Sequence, residues 1–549
     1  MVASSVGPAV AAGQEVFGAG GNAVDAAVAV AFAAGVAHPF SSGIGGGGFI
    51  VLHWGETGEV FAIDAREVAP AAAHAGMYLD ANGNVDPQAS RAGGRAVAVP
   101  GLVQGLHQVH QRFGVLSWQR VLRPAIRLSL RGVPVGAWHQ RILGRAKPLL
   151  ERFPETARIQ LAAGEVPKLG WKLRQPDLAR TLDAIARKGP EAMTRGRIAE
   201  AMVETVASAG GVLTLDDLAS YRTRWTAPVR GSYRGLEVVS MPPPSSGGVH
   251  LIQMLNTLEP FDLRDLGAGS SQAIHLLTEA MKLAFADRAV HLGDPDFHAV
   301  PTAWLTSKAY GLELADRLRP RPLWRRAPWT WGRRQVLRVE RPGTPPPDDA
   351  GTTHISVLDA EGNAVAITQT INTIFGSGIT AAGTGIVLNN EMDDFSAAPG
   401  APNAFQLVGQ EANAIAPGKR PLSSMTPTIV LRDGAPWLIA GSPGGPLIIT
   451  TVLLTLINVI DFDMNIQEAV LAPRFHHQWR PDRLVLEPEH PRDVVERLGS
   501  WGHPAVVAGF RFGASAAILR DPDTGVIWGA ADRRAATGAI GYPSPEVSE

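Results

Sequence analysis

The alternation of apolar and polar positions marks one hairpin more clearly than any other part of the chain. Residues 352–358 are β-branched and alternating, Asp359-Ala360-Glu361-Gly362-Asn363 carries turn chemistry, and residues 364–370 alternate again. A hairpin centred near Glu361 sets Thr370 opposite Thr352. Directly opposed side chains lie roughly 4.5–5.5 Å apart at Cβ, and Asn372, two residues on, is expected on the same face. Two hydroxyls and a carboxamide thus gather at one strand end. Past the glycine-rich Phe375-Gly376-Ser377-Gly378 comes a dense polar run, Asn389-Asn390-Glu391-Met392-Asp393-Asp394, next to apolar residues.

Helical patterning surrounds this hairpin. Asn22 is expected to cap a helix from Ala23, with Asp25 three residues in as a capping-box partner. That helix is apolar all round and belongs inside a layered core. Ser270 or Ser271 caps another, with Ile274, Leu277, Met281 and Phe285 on one face and an end before Gly293-Asp294-Pro295. Residues 117–218 read as amphipathic helices with basic faces. Near the other end of the chain, a hairpin around Asp433-Gly434 delivers Gly441-Ser442-Pro443-Gly444-Gly445-Pro446 to an apolar helix through Ile460. Proline at the first helical position, after two glycines, leaves unpaired amides at the positive helix end. Such amides suit a developing oxyanion. Between these elements, Lys419-Arg420-Pro421-Leu422-Ser423-Ser424-Met425 places paired hydroxyls on a sharp turn.

Composition narrows the function classes. At 549 residues, length alone suggests roughly three or four domains, against which a single two-part globule is preferred here. Hydrophobic residues make up 45%, enough for a large core, and the net charge of −1 gives no electrostatic case for nucleic acid or an acidic membrane. With no cysteine, disulfides, thiol catalysis and cysteine metal sites are excluded. No stretch reaches the roughly 18 uninterrupted apolar residues of a membrane span. No basic-then-apolar leader opens the chain, and the compartment is left unassigned.

Three further features carry a chemical suggestion. Residues 41–49 contain a formal GxGxxG, but the order is helix, glycines, strand, the reverse of a dinucleotide site, so closely packed backbone is the preferred reading. His476-His477 would point to opposite faces of a strand, which argues against a metal pair. Residues 317–341 interleave arginines with Trp324, Trp329 and Trp331, a mixture that can stack on single-stranded nucleic acid. A usable site also needs an ordered groove, and Pro345-Pro346-Pro347-Asp348-Asp349 follows, so the segment is expected to be a connector and no nucleic-acid partner is assigned.

Taken together, Gly351-Thr352-Thr353-His354, Thr370-Ile371-Asn372 and Asn389-Asn390-Glu391-Met392-Asp393-Asp394-Phe395 resemble the nucleophile region of the γ-glutamyltranspeptidase family of N-terminal-nucleophile hydrolases. Asp64-Ala65-Arg66-Glu67-Val68-Ala69-Pro70 resembles that family's Asp-x-Arg-Glu-x-Ala-Pro motif, and residues 97–101 and 240–248 are family-like as well. The similarity runs from Ala3-Ser4 to Tyr542. It implies an α+β fold, the four-layer αββα sandwich, and self-cleavage between Gly351 and Thr352. The products would be residues 1–351, including the connector of about 317–351, and residues 352–549, forming one globular unit.

The resemblance also implies roles. Thr352 would be the nucleophile, with its freed amine as base and Thr370 bonded to it. Gly444 and Gly445 would form the oxyanion hole. Arg66, Ser423 and Ser424 would hold a substrate α-carboxylate, while Asn372, Glu391 and Asp394 would hold its α-amino group. The donor would be glutathione or another γ-glutamyl compound, the acceptor water or an amino acid, with no metal or organic cofactor. Phe405 stands where a lid tyrosine is common, so a gating hydroxyl would be missing. Two alternatives stay open: a cephalosporin (glutaryl-type) acylase, against which Asp394 argues, and an unprocessed, non-catalytic binding protein, to which the arginine–tryptophan insert would belong.

Overall fold

A computed structural model describes residues 1–318, 350–535 and 538–541. Most of the arginine–tryptophan insert and the proline run after it lie outside the described residues. Two antiparallel sheets form the middle. The first has seven strands in the order Gly538–Ile540, Val2–Ser4, Ala350–Leu358, Ala364–Thr373, Gly47–His53, Val60–Ala65, Arg224–Thr226. The second has six, in the order Ile527–Ala531, Ala516–Arg520, Ala435–Gly441, Thr428–Arg432, Leu236–Ser240, Val229–Tyr233.

Strand alternation decides which layer each side chain joins. Ile50, Leu52, Ile355, Val357, Val365 and Ile367 turn outward into one core with the helix Ala23–Ala37. Their neighbours Phe49, Val51, Ala364 and Ala366 turn inward and share a second core with Val239, Leu438 and Ala440 of the other sheet. The helices Gly247–Leu258, Ser271–His291 and Leu447–Ile460 cover the far face through Leu251, Phe285 and Leu453. The fold is therefore α+β, a four-layer αββα sandwich.

Local signals behave as expected where they are strong. Asn22 and Asp25 form a full capping box on Ala23–Ala37, a helix buried along nearly its whole length. Ser270 caps Ser271–His291. Residues 117–218 form a series of helices from Trp118–Arg131 to Leu215–Ser220, joined in part by the short strand pair Val133–Pro134 and Lys172–Leu173. Two expectations need correcting. Gly247 and Gly248 do not continue the turn from residue 240; they open the helix Gly247–Leu258, seated so tightly that a Cβ on Gly248 would meet the Met241 carbonyl. Pro446 does not sit inside its helix but caps it, the first helical residue being Leu447.

The glycines of residues 41–49 hold no ligand-shaped loop. A Cβ on Gly46 would run into the Thr370 carbonyl oxygen, and one on Gly47 into the Glu67 carboxyl. Side chains are excluded there because the hairpin lies against this backbone.

Candidate active site

The hairpin has the expected register, with Leu358 opposite Ala364 and Thr370 opposite Thr352. Even-numbered residues of its first strand face the second sheet. Two of them build a closed polar row with Thr368 of the second strand: His354 Nδ1 lies 2.8 Å from Thr368 Oγ1 and its Nε2 3.1 Å from Ser356 Oγ, which donates to the Ala516 carbonyl at 2.9 Å. Burial pushes the His354 pKa down to about 3, so the ring is neutral and structural.

One step further along, the row opens into a cavity. Thr352 Oγ1 lies 3.0 Å from Thr370 Oγ1. The Thr370 hydroxyl donates to the Gly351 carbonyl at 2.7 Å and accepts from the Asn372 amide at 2.8 Å. Since its own proton goes to Gly351, Thr370 takes the Thr352 hydroxyl as a donor. Asn372 departs from simple alternation. A bulge between Thr370 and Asn372 pairs Asn372 with Gly351, and Asn372 adopts φ +75°. The bulge is what brings its amide to Thr370. Its side-chain nitrogen donates to the Asn390 carbonyl at 2.9 Å, which leaves the carboxamide oxygen for a ligand.

Arg66 follows directly on the strand Val60–Ala65, with its carbonyl held by the Tyr221 hydroxyl at 2.9 Å. Its guanidinium is fully buried and meets carboxylates on every side. Nη1 pairs with Glu391, Nη2 lies 2.6 Å from Asp394, and Glu67 stands 3.7 Å away. Nε donates to the Pro421 carbonyl at 3.2 Å. Burial works against the Arg66 cation, yet these carboxylates hold its pKa above the ordinary arginine value. Burial pushes Glu67 up to about 7 against the pull of Arg66. Glu391 is raised well above the carboxylate range by burial, and Glu67 and Asp394 add to this. Among the described residues, neither oxygen of Glu67 nor Oε2 of Glu391 has a hydrogen-bond partner.

The polar run 389–394 divides its labour. Asn389 clamps the site to the family-like segment at Ala98, accepting from the Ala98 amide at 3.0 Å and donating to its carbonyl at 2.9 Å. Asp393 is taken by Ser90 Oγ at 2.6 Å and the Ala404 amide at 2.7 Å. Only Glu391 and Asp394 turn toward Arg66.

Ser423 and Ser424 close the far wall, with residues 423 and 245 bridged in parallel. The Ser423 carbonyl receives the Ser246 amide at 2.8 Å and the Ser246 hydroxyl at 2.7 Å. Arg66, Thr352, Thr370, Asn372, Glu391 and Asp394 all line one cavity, and so do Ser423, Ser424 and Gly445. Gly444 lies one residue behind Gly445. Both adopt positive φ, +136° and +56°, and among the described residues neither amide donates to a backbone carbonyl. Phe405 and Leu407 cover the opposite side, and Phe405 rests against Gly445.

Three contributors escaped sequence reading: Glu67, Ser246 and Arg288. Arg288 is buried on Ser271–His291 and donates to Ser246 Oγ at 3.0 Å and Ser424 Oγ at 3.3 Å. A signal for it exists, since Arg288 continues the apolar stripe of Met281 and Phe285 at helical spacing. As for metals, His476 is spent on Thr450 and Gln478, and His477 on Asp482 and the Trp479 amide. Among the described residues His275, Glu279 and His503 have metal-ligand spacing, but Lys282 Nζ lies 2.8 Å from Glu279 and 3.4 Å from His503. An ammonium takes the cation's position there.

Comparison with known proteins identifies the family. The family model for Gamma-glutamyltranspeptidase matches residues 9–542. The chain is 44% identical to the glutathione hydrolase proenzyme of Escherichia coli strain K12 over 536 residues, 97% of this chain and 90% of that protein. It is 39% identical to the acylase ACY 1 proenzyme of Pseudomonas sp. strain SE83 over 547 residues, 97% of this chain and 92% of that one. The crystal structure of cephalosporin acylase from Bacillus halodurans superposes with a TM-score of 0.84 at 28% identity, covering 99% of this chain and 96% of that chain. The chain belongs to the γ-glutamyltranspeptidase family.

Proposed function

We propose that this protein is a self-processing threonine-nucleophile enzyme that cleaves the γ-glutamyl amide of glutathione or a related donor and passes the glutamyl group to water or an amino acid. The observation that carries this reading is the joining of the Thr352–Thr370 pair to the Arg66–Asp394 ion pair in a single cavity.

Processing comes first. Thr352 Oγ1 attacks the Gly351 carbonyl carbon, whose oxygen is already polarised by the Thr370 hydroxyl at 2.7 Å. The amide nitrogen leaves as the free α-amine of Thr352, and water then releases the Gly351 carboxylate from the ester. In turnover the same hydroxyl attacks the donor's γ-carbonyl carbon, its proton passing to the α-amine. The amides of Gly444 and Gly445 receive the oxyanion, the C–N bond breaks, and the departing amine takes the proton. Water or an amino acid then attacks the ester and regenerates Thr352.

Recognition follows from charge. Arg66, with the hydroxyls of Ser423 and Ser424, holds the α-carboxylate; Asp394, Glu391 and the Asn372 carboxamide oxygen hold the α-ammonium. Three carboxylates around one arginine favour a donor that brings an ammonium. A glutaryl donor brings none, which sets the acylase reading second.

The test is a denaturing gel with N-terminal sequencing. The expected small chain is residues 352–549, roughly 21 kDa by length, beginning at Thr352, from protein that hydrolyses γ-glutamyl-p-nitroanilide. An uncut, inactive chain would mean a binding protein instead, and a cut chain faster on glutaryl-p-nitroanilide would mean an acylase.

A further inference from the structure

Buried arginines in this protein come with carboxylates. Arg66 has Glu391 and Asp394, Arg420 has Asp64 at 3.1 Å, and Arg474 has Asp532 at 2.6 Å. Arg288 is as buried as these, at 5% exposure. Among the described residues it has no carboxylate within ion-pair distance, only the two serine hydroxyls. A buried cation without an ion-pair contact is costly to the fold, and burial holds the Arg288 pKa down to about 10 against a weaker upward pull from the more distant Asp394.

The polarity of its contacts gives the reason for tolerating it. A guanidinium can only donate, so Ser424 Oγ accepts from Nη2 at 3.3 Å and keeps its own proton to give away. Ser246 Oγ accepts from Nε at 3.0 Å and donates to the Ser423 carbonyl at 2.7 Å, fixing the turn. Ser423 Oγ accepts from the Met425 amide at 3.1 Å, so its proton is available too. Both serines line the cavity. Their wall therefore offers two hydroxyl donors with a cation behind them, an arrangement that suits an anionic oxygen and repels an ammonium.

We propose that Arg288 is a positioning residue for the donor's α-carboxylate, acting through Ser424 and Ser246 to present the paired serine hydroxyls as donors. This rests on the γ-glutamyl reading and extends it: the carboxylate is held between two arginines, Arg66 in the cavity and Arg288 behind the serines. The missing anion of Arg288 is the ligand's own.

Competitive inhibition of γ-glutamyl-p-nitroanilide hydrolysis separates the groups. L-glutamate has both α-substituents, glutarate keeps the carboxylate without the ammonium, and 4-aminobutanoate keeps the ammonium without that carboxylate. Arg288→Met is expected to weaken glutamate and glutarate by about ten-fold or more, with 4-aminobutanoate within about two-fold. KM for the γ-glutamyl substrate should rise while kcat changes by less than about three-fold, and Arg288→Lys should recover most of the loss. Should the Met variant not fold, Ser246→Ala is expected to give the same selectivity at roughly three-fold amplitude. Equal weakening of all three inhibitors would overturn the inference and leave the γ-glutamyl reading standing. No hydrolysis by the unaltered protein would overturn both.

Discussion

Two buried charge clusters in this protein use the same residue types and differ in their sums. In one, Arg474 and Arg534 meet Asp532 and Glu487. All four carboxylate oxygens accept hydrogen bonds, among them those from the Arg474, Phe512 and Ser515 amides at 2.9, 2.9 and 3.0 Å. Two cations balance two anions. In the other, one cation, Arg66, faces Glu67, Glu391 and Asp394, and three carboxyl oxygens have no hydrogen-bond partner among the described residues. A balanced and saturated cluster has nothing left to offer a ligand, and it ties together the chain between Val470 and Arg534. An unbalanced one sits beside a cavity, keeps its excess charge down by holding carboxyls protonated, and would ionise further around a cation from outside. Charge burial alone does not distinguish the two; the remainder does.

The comparison can be broken at four points. Thr352→Ala leaves both clusters intact and removes the nucleophile, so activity on γ-glutamyl-p-nitroanilide should fall about a thousand-fold or more, with the chain in one piece on a denaturing gel. A normal small fragment from that variant would refute the mechanism. Asp532→Asn should unbalance the closed cluster and strand Arg474, costing about 3–5 kcal/mol in urea unfolding. A loss below about 1 kcal/mol there would show that the closed cluster is no clasp.

Asp394→Asn should do the opposite, sparing the fold and striking the substrate. Its kcat/KM for γ-glutamyl-p-nitroanilide is expected to drop roughly 30-fold, against a much smaller loss on glutaryl-p-nitroanilide, which has no ammonium. Equal losses in a correctly cleaved variant would move the assignment to an acylase. The smallest effect concerns Glu67. Its carboxyl is raised from 4.5 to about 7 by burial, so between those pH values the folded chain keeps a proton that the unfolded chain gives up. Stability from this group is complete below about pH 4.5 and declines as pH rises through about 7. Glu67→Gln should flatten that decline and melt above the unaltered protein at pH 8. A parallel pair of Tm–pH curves would contradict it.

Sequence made the scaffold of this site readable and hid its finish. Alternation and turn chemistry placed Thr352 against Thr370, because register in a hairpin is set locally. The Asn22–Asp25 box and the Ser270 cap were legible for the same reason. Alternation cannot see a single extra residue, so the bulge that swings Asn372 onto Thr370 was missed. The motif carrying Arg66 was recognisable, but its grip by Glu391 and Asp394 spans more than 300 residues and no local pattern encodes it. Arg288 lay in plain view on an apolar stripe, where an arginine contradicts the burial its neighbours predict. Residues outside the described ones, the insert's tryptophans among them, keep their sequence reading as a connector.

The strand order has a consequence for how the two proposed products relate. Val2–Ser4 lies between Gly538–Ile540 and Ala350–Leu358, and the nucleophile hairpin lies between Val2–Ser4 and Gly47–His53. The second sheet joins Leu236–Ser240 to Thr428–Arg432. A cut at Gly351–Thr352 would thus divide the chain without dividing either sheet. Neither product would have a complete sheet of its own, so they would be partners by severance and never by encounter. Dilution would not part them, separately expressed halves would have no folded state from which to find each other, and the mature enzyme would have a single opportunity to fold, before the cut is made.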